Sequence, residues 1–111
     1  IELGGNDGLR GQPVDNLRRN LESMLALVRA SGADAILAGI QIPPNYGPQY
    51  TQQFSAIYPE LAAEFDVDLV EFFMEGVALD RQLMQSDRIH PNAAGQSVLL
   101  DNIWPVLLEL L

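Results

Sequence analysis

Apolar residues recur along this chain at two different periods, and the switching between them lays out the fold. From about Val14 to Ser31, the residues Leu17, Leu21, Met24, Leu25 and Val28 fall three or four apart, which gathers them on one stripe of an α-helix. Asp15 suits its first turn, Arg29 its last, and Gly32 its C-terminal stop. A short, nearly continuous apolar run follows, Ala35 to Ile42 (AILAGIQI), which predicts a strand buried on both faces. Beyond the loop PPNYGPQ a second helix is expected over roughly Tyr50 to Phe65. Its inward face is Phe54, Ile57, Tyr58, Leu61 and Phe65, and Pro59 predicts a kink or a break. Val67 to Phe72 is a further strand. Phe73 to Asp87 is irregular, with room for a short helical turn. Ala93 to Leu111 closes the chain as a helix with Val98, Leu99, Ile103, Val106, Leu107 and Leu110 apolar, bent at Pro105.

Ahead of these elements, Ile1 to Leu3 reads as the tail of a buried strand, and Gly4 to Pro13 (GGNDGLRGQP) as a loop rich in turn-forming residues. The order β-loop-α-β-loop-α-β-loop-α predicts an α/β protein: a parallel sheet with helices on both faces, three layers deep. There are no repeats, linkers or low-complexity tracts, and the length suits at most one domain. Three strands make a thin sheet, and the chain opens on a strand without an initiator Met. Both features lead us to expect that its beginning is missing and that residues 1–111 are the C-terminal portion of a single domain.

Composition narrows the partners. With 6 Lys+Arg against 15 Asp+Glu, the formal charge of −9 repels phosphate backbones, which argues against nucleic acid. It also weakens adhesion to anionic membrane surfaces, and no apolar run reaches the ~18 residues of a span, so no stable membrane insertion is expected. Having one His, no Cys and no compact carboxylate cluster, the chain offers no metal site. No cofactor is expected, since GGNDG lacks the Lys-Ser/Thr and the longer spacing of a phosphate loop.

In open parallel sheets, sites form at the carboxyl ends of the strands. The loops leaving those ends are GGNDGLRGQP, PPNYGPQ and the segment ending in SDRIHPN, which brings Asn6, Asn45, Asp87 and His90 to one rim. Asp87 and His90, three apart in a loop, suit a carboxylate that fixes the tautomer of an imidazole base. They equally suit an exposed histidine beside a turn-capping aspartate, and the spacing alone favours that plainer account. Asn6, between glycines, is a candidate oxyanion donor or simply part of a turn.

Taken together, GGNDGLRG after a strand and DRIHPN near the C-terminus resemble the SGNH (GDSL) hydrolase superfamily. More narrowly, the stretches IQIPPNYGPQYTQQFSAIYPELAAEFDVDLVEFFMEGV and LMQSDRIHPNAAGQ are similar to its bacterial thioesterase I / arylesterase / lysophospholipase branch, so the resemblance covers essentially the whole chain. It implies a flavodoxin-like fold of which this chain is the C-terminal part. It also implies a serine acyl hydrolase acting on a small-molecule acyl ester or thioester. Asn6 then matches the oxyanion-hole asparagine, His90 the general base and Asp87 its orienting carboxylate. Gly5, Leu9, Ile40 and Ile42 match substrate-side positions, Leu9 in a mobile segment that closes on the acyl chain.

The family's nucleophilic serine and its second-block glycine have no match here and are expected upstream of Ile1. Ser86, Ser23, Ser31, Ser55 and Ser97 are not expected to replace the nucleophile. The chain alone is therefore expected to be inactive, and to need its missing N-terminal segment or a swapped copy to complete the fold. Resemblance to bacterial relatives also implies a periplasmic or secreted location. Two other readings remain: a non-catalytic binding or assembly module on the same fold, and a carbohydrate acetylesterase of the same superfamily. The aliphatic Leu9, Ile40 and Ile42 weigh against the second.

Overall fold

The helical stripe beginning at Leu17 folds as expected. In the computed structural model, which describes Ile1–Leu111, the helix α2 spans Val14–Ser31 and buries Leu17, Leu21 and Leu25. It stops at Gly32, whose left-handed conformation lets its N–H bond the Arg29 carbonyl. A shorter helix, α1 (Gly5–Leu9), precedes it. After α2 come β1 (Ile36–Ala38), a 3₁₀ turn (Pro44–Tyr46), α3 (Pro48–Phe65) and β2 (Asp68–Val70). Two further 3₁₀ turns, Arg81–Leu83 and Ala93–Gly95, lead into α4 (Gln96–Leu110).

Several expectations need correction. Gly4 to Pro13 is not all loop, because its centre winds into α1. The second helix starts at Pro48, where the fixed proline φ suits a first helical position. It also continues unbroken past Pro59. Pro59 is exposed, while Ile57, Tyr58, Leu61 and Ala62 on the inner face are buried and hold both halves in register. Phe65, expected inside, is half-buried, with the Arg29 guanidinium over its ring at 4.9 Å. Helix α4 is one helix with Pro105 inside it, as expected.

The strands are shorter than their apolar runs. β1 and β2 pair in parallel, with Ile36, Leu37 and Ala38 opposite Asp68, Leu69 and Val70. Gly39 then donates to Val70 O at 2.7 Å and accepts from Phe73 N at 3.1 Å. At this point the two chains run so close that a Cβ on Gly39 would collide with the Glu71 carbonyl. The first predicted strand survives as a ladder of bonds: Ile1 N donates to Ile36 O at 2.6 Å, and Ile1 O accepts from Ala38 N at 2.9 Å. That is the parallel pattern, so the Ile1 segment, β1 and β2 lie side by side in that order.

Side chains alternate across this sheet and define its two faces. Leu37 joins Leu17, Leu21, Leu25, Phe54, Ile57, Tyr58 and Leu61 in one core beneath α2 and α3, with Ala35, Val67 and Leu69 packed against it. On the opposite face, Ile36 and Ala38 line an apolar cavity of about 400 Å³ with Ile103, Leu107 and Leu110 of α4. The result is an α/β/α arrangement of three layers. The α4 side is thinner: its core is Val77, Met84 and Leu99, and Leu100, Trp104 and Leu108 face outward.

Candidate active site

His90 sits at the end of a tightly closed loop. Met84 and Pro91 form an antiparallel bridge, and within it Gln85 N donates to His90 O at 2.8 Å. Arg88 takes a left-handed φ of 58°, which turns the chain back on itself. The turn points three donors at one carboxylate. Asp87 Oδ1 accepts from the backbone N–H groups of Ile89 (2.9 Å) and His90 (3.1 Å), and Oδ2 lies 2.6 Å from His90 Nδ1.

The His90 side-chain bond, followed by the two backbone N–H groups, lowers the Asp87 pKa to about 2. Asp87 is thus ionised at neutral pH and can only accept, so His90 Nδ1 carries the proton. The lone pair is left on Nε2, free to take a proton from another group. The ring is 69% exposed and makes no side-chain hydrogen bond except to Asp87. The Ser23, Ser31 and Ser55 hydroxyls donate to carbonyls of their own helices, and no serine bonds His90.

Asn92, quoted in the motif but given no role from sequence, holds this loop against the helix that follows. Its Nδ2 donates to Gln82 O (2.7 Å) and Met84 O (3.3 Å), and its Oδ1 accepts from Gly95 N (3.1 Å). Asp80 caps the Arg81–Leu83 turn, while Asn102 of α4 donates to Phe73 O and Glu75 O. An Asn just before a helical Ala-Ala-Gly is an N-cap signal, and that is the signal from which sequence could have found it.

Asn6 lies on α1, which leaves the carboxyl end of the Ile1–Leu3 segment. Gly4 opens the turn at φ 122° against the Tyr58 hydroxyl and Leu17, where no other side chain would fit. Asn6 is exposed, and its amide makes no hydrogen bond, so its direction is set by the α1 backbone. Gly5 faces open space. Ile42 and Phe54 cover Gly8, and Ile40, Ile42 and Leu9 are half-buried, Ile40 and Ile42 resting on the core beneath α2 and α3. Asn45 is exposed in the Pro44–Tyr46 turn.

The structure therefore joins Asp87 to His90 directly and packs Ile42 on the Asn6 helix. No hydrogen bond links Asn6 to the Asp87–His90 pair. None of these residues borders the cavity under α4.

The fold and site together define a three-layer α/β domain that carries a carboxylate-bound imidazole in the loop region beyond its last strand. The chain belongs to the GDSL-like Lipase/Acylhydrolase family, whose pattern matches residues 1–98. It is 53% identical over 111 residues to esterase TesA of Pseudomonas aeruginosa, covering all of this chain and 55% of that protein. It is 50% identical over 101 residues to thioesterase 1/protease 1/lysophospholipase L1 of Escherichia coli K12, covering 91% of this chain and 49% of that protein. A crystal structure of TesA superposes with a TM-score of 0.95 at 53% identity, over 100% of this chain and 62% of the other. The chain spans about half the length of the curated relatives it matches.

Proposed function

We propose that residues 1–111 are the C-terminal portion of a single hydrolase domain that cleaves carboxylic esters or thioesters through an acyl-serine intermediate. The observation that carries this reading is the 2.6 Å contact between Asp87 Oδ2 and His90 Nδ1, which leaves Nε2 as an exposed base. The names of the two relatives, an esterase and a thioesterase/lysophospholipase, support the substrate class.

The nucleophile is a serine from sequence preceding Ile1. His90 Nε2 accepts the serine proton as Oγ attacks the carbonyl, and the Asn6 amide donates to the oxyanion that forms. Collapse breaks the C–O or C–S bond, and His90 returns the proton to the leaving alcohol or thiol. Water then repeats the sequence on the acyl-serine, giving its proton to His90 and its hydroxyl to the acyl carbon. Asp87 holds the ring and stabilises its cation throughout. Ile40, Ile42, Leu9 and Gly5 line the acyl side. The preceding segment, or a swapped copy, covers the exposed apolar residues of α4 and the cavity beside it, which ordinarily calls for a partner surface.

The test is His90→Ala in the intact protein, assayed on p-nitrophenyl esters. We expect kcat to fall by at least ~10³-fold with an unchanged circular dichroism spectrum, because the ring is exposed and its loss opens no cavity. Near-wild-type turnover by that variant would refute the assignment.

A further inference from the structure

A ladder of four aromatic rings runs through the Pro44–Tyr46 turn into α3. Tyr46, Tyr50, Phe54 and Tyr58 recur every fourth residue, with neighbouring centroids 6.4, 6.3 and 5.9 Å apart. Three of the four carry hydroxyls, and all three donate to backbone carbonyls of one remote segment, the one that bears Asn6. Tyr58 bonds Leu3 O at 2.9 Å, just before the segment turns. Tyr46 bonds Leu9 O at 2.6 Å, at the end of α1. Tyr50 bonds Gln12 O at 2.6 Å, where the chain leaves for α2.

Tyr46 has the most specific part. The last carbonyls of a helix lack intrahelical partners and must find others. In α1, Asn6 O is taken by Arg10 N, Asp7 O by Gln12 N and Gly8 O by Gly11 N, all at 2.9–3.0 Å. Leu9 O is taken by the Tyr46 hydroxyl instead. A five-residue helix containing two glycines is far below the length that is stable alone, so external fasteners decide where it sits. Because the Asn6 amide is exposed and makes no hydrogen bond, any play in α1 passes directly to its direction.

We propose that Tyr46 is a positioning residue for catalysis, its hydroxyl fixing the C-terminal end of α1 and so the aim of the Asn6 amide. The proposal rests on the reading of Asn6 as oxyanion donor. Tyr50 is an auxiliary fastener one step further from Asn6.

The experiment is a double-mutant cycle in the intact protein, with Tyr46→Phe, Asn6→Ala and the pair assayed for kcat and KM on a p-nitrophenyl ester. Tyr46→Phe keeps the ring and its stacking and removes one neutral hydrogen bond. The expected result is a roughly 3–10-fold fall in kcat, with KM changed less than ~2-fold. Asn6→Ala should cost roughly 10²–10³ in kcat, and adding Tyr46→Phe to it should cost nothing more. Tyr50→Phe should give a smaller loss than Tyr46→Phe.

If both single variants lose activity but the losses multiply, Tyr46 acts elsewhere and the proposal fails. If Asn6→Ala costs activity and Tyr46→Phe does not, the proposal fails while the function stands. If Asn6→Ala leaves kcat intact, the oxyanion reading has failed and the proposal with it. Amide exchange provides a readout independent of turnover: Arg10 and Gly11 should exchange faster in Tyr46→Phe than in wild type, and equal rates would overturn the proposal.

Discussion

Two short segments carry the proposed chemistry, and they are built in opposite ways. The Gln85–Pro91 loop is wired to itself: Asp87 gathers bonds from residues two and three further on, and Gln85 and His90 close the ends. The Asn6 helix is wired to the rest of the molecule through hydroxyls from residues 37 to 55 positions away in sequence, and through Ile42 and Phe54 over Gly8. A proton-accepting group needs its tautomer fixed, which one neighbouring carboxylate can do. An oxyanion donor needs its position fixed in three dimensions, and that takes the whole fold.

The sharpest test of the self-wired loop is Asp87→Asn. An amide can still accept from Ile89 and His90 N–H through its oxygen, so the turn should survive. Its NH₂, however, now faces Nδ1, and can bond it only if that nitrogen gives up its proton. The proton moves to Nε2, and the base becomes a donor. We expect kcat to fall by roughly 10⁴, as when a triad aspartate is made an amide, with the thermal midpoint nearly unchanged. An equal loss of stability and activity would mean that the loop is not self-supporting.

The same contrast explains what the sequence disclosed. Aspartate three before histidine is a local signal, and the contact it suggested is present. The helical stripes of α2 and α3 are also local: they name the buried Leu17, Leu21, Leu25, Phe54, Ile57, Tyr58 and Leu61, while Met24, Val28 and Phe65 of the same stripes are half-buried and the buried Ala62 lies outside the named set. The strands are shorter than their apolar runs because apolar character persists past Gly39, whereas the regular ladder ends there, with Gly39 donating to Val70 O and accepting from Phe73 N across a close approach to Glu71. No break occurs at Pro59, since tertiary burial on the inner face of α3 holds together a helix whose local breaker lies on its outer face. The α1 turn is not legible in the sequence, because two glycines and an Asn are poor helix formers and the hydroxyls that support it lie far along the chain. Asn92 escaped for a similar reason: its partners at Gln82 and Met84 are strung along a segment that has no periodicity.

Asn92→Ala probes the seam between the local and the global schemes. The side chain joins the Gln82–Met84 stretch to the 3₁₀ turn that leads into α4 by three bonds. Removing it takes away an N-cap and leaves two carbonyls to water. We expect a loss of about 2 kcal/mol in urea unfolding of the intact protein. The Asp87–His90 pair lies inside the loop that Asn92 anchors, so kcat should fall far less than in Asp87→Asn. A fall as large as that of Asp87→Asn would show that the loop depends on α4 for its internal geometry.

The smallest effect is a titration. The carboxylate-¹³C signal of Asp87 should move with a midpoint of about 2, below the ordinary 3.8, because three donors favour its charged form. A carboxylate whose folded pKa is depressed stabilises the fold above the unfolded value, and that contribution is lost as pH falls through the folded one. The relevant window is therefore about pH 4 to 2, well below neutral, and Asp87 should add no acid limb to the rate profile above about pH 3. In His90→Ala the largest of the three donors is gone while the Ile89 and residue-90 N–H bonds remain, so the midpoint should rise only part of the way to 3.8. A full return to 3.8 would mean that the turn itself collapses without the imidazole, and that the loop's self-sufficiency belongs to the ring and not to its backbone.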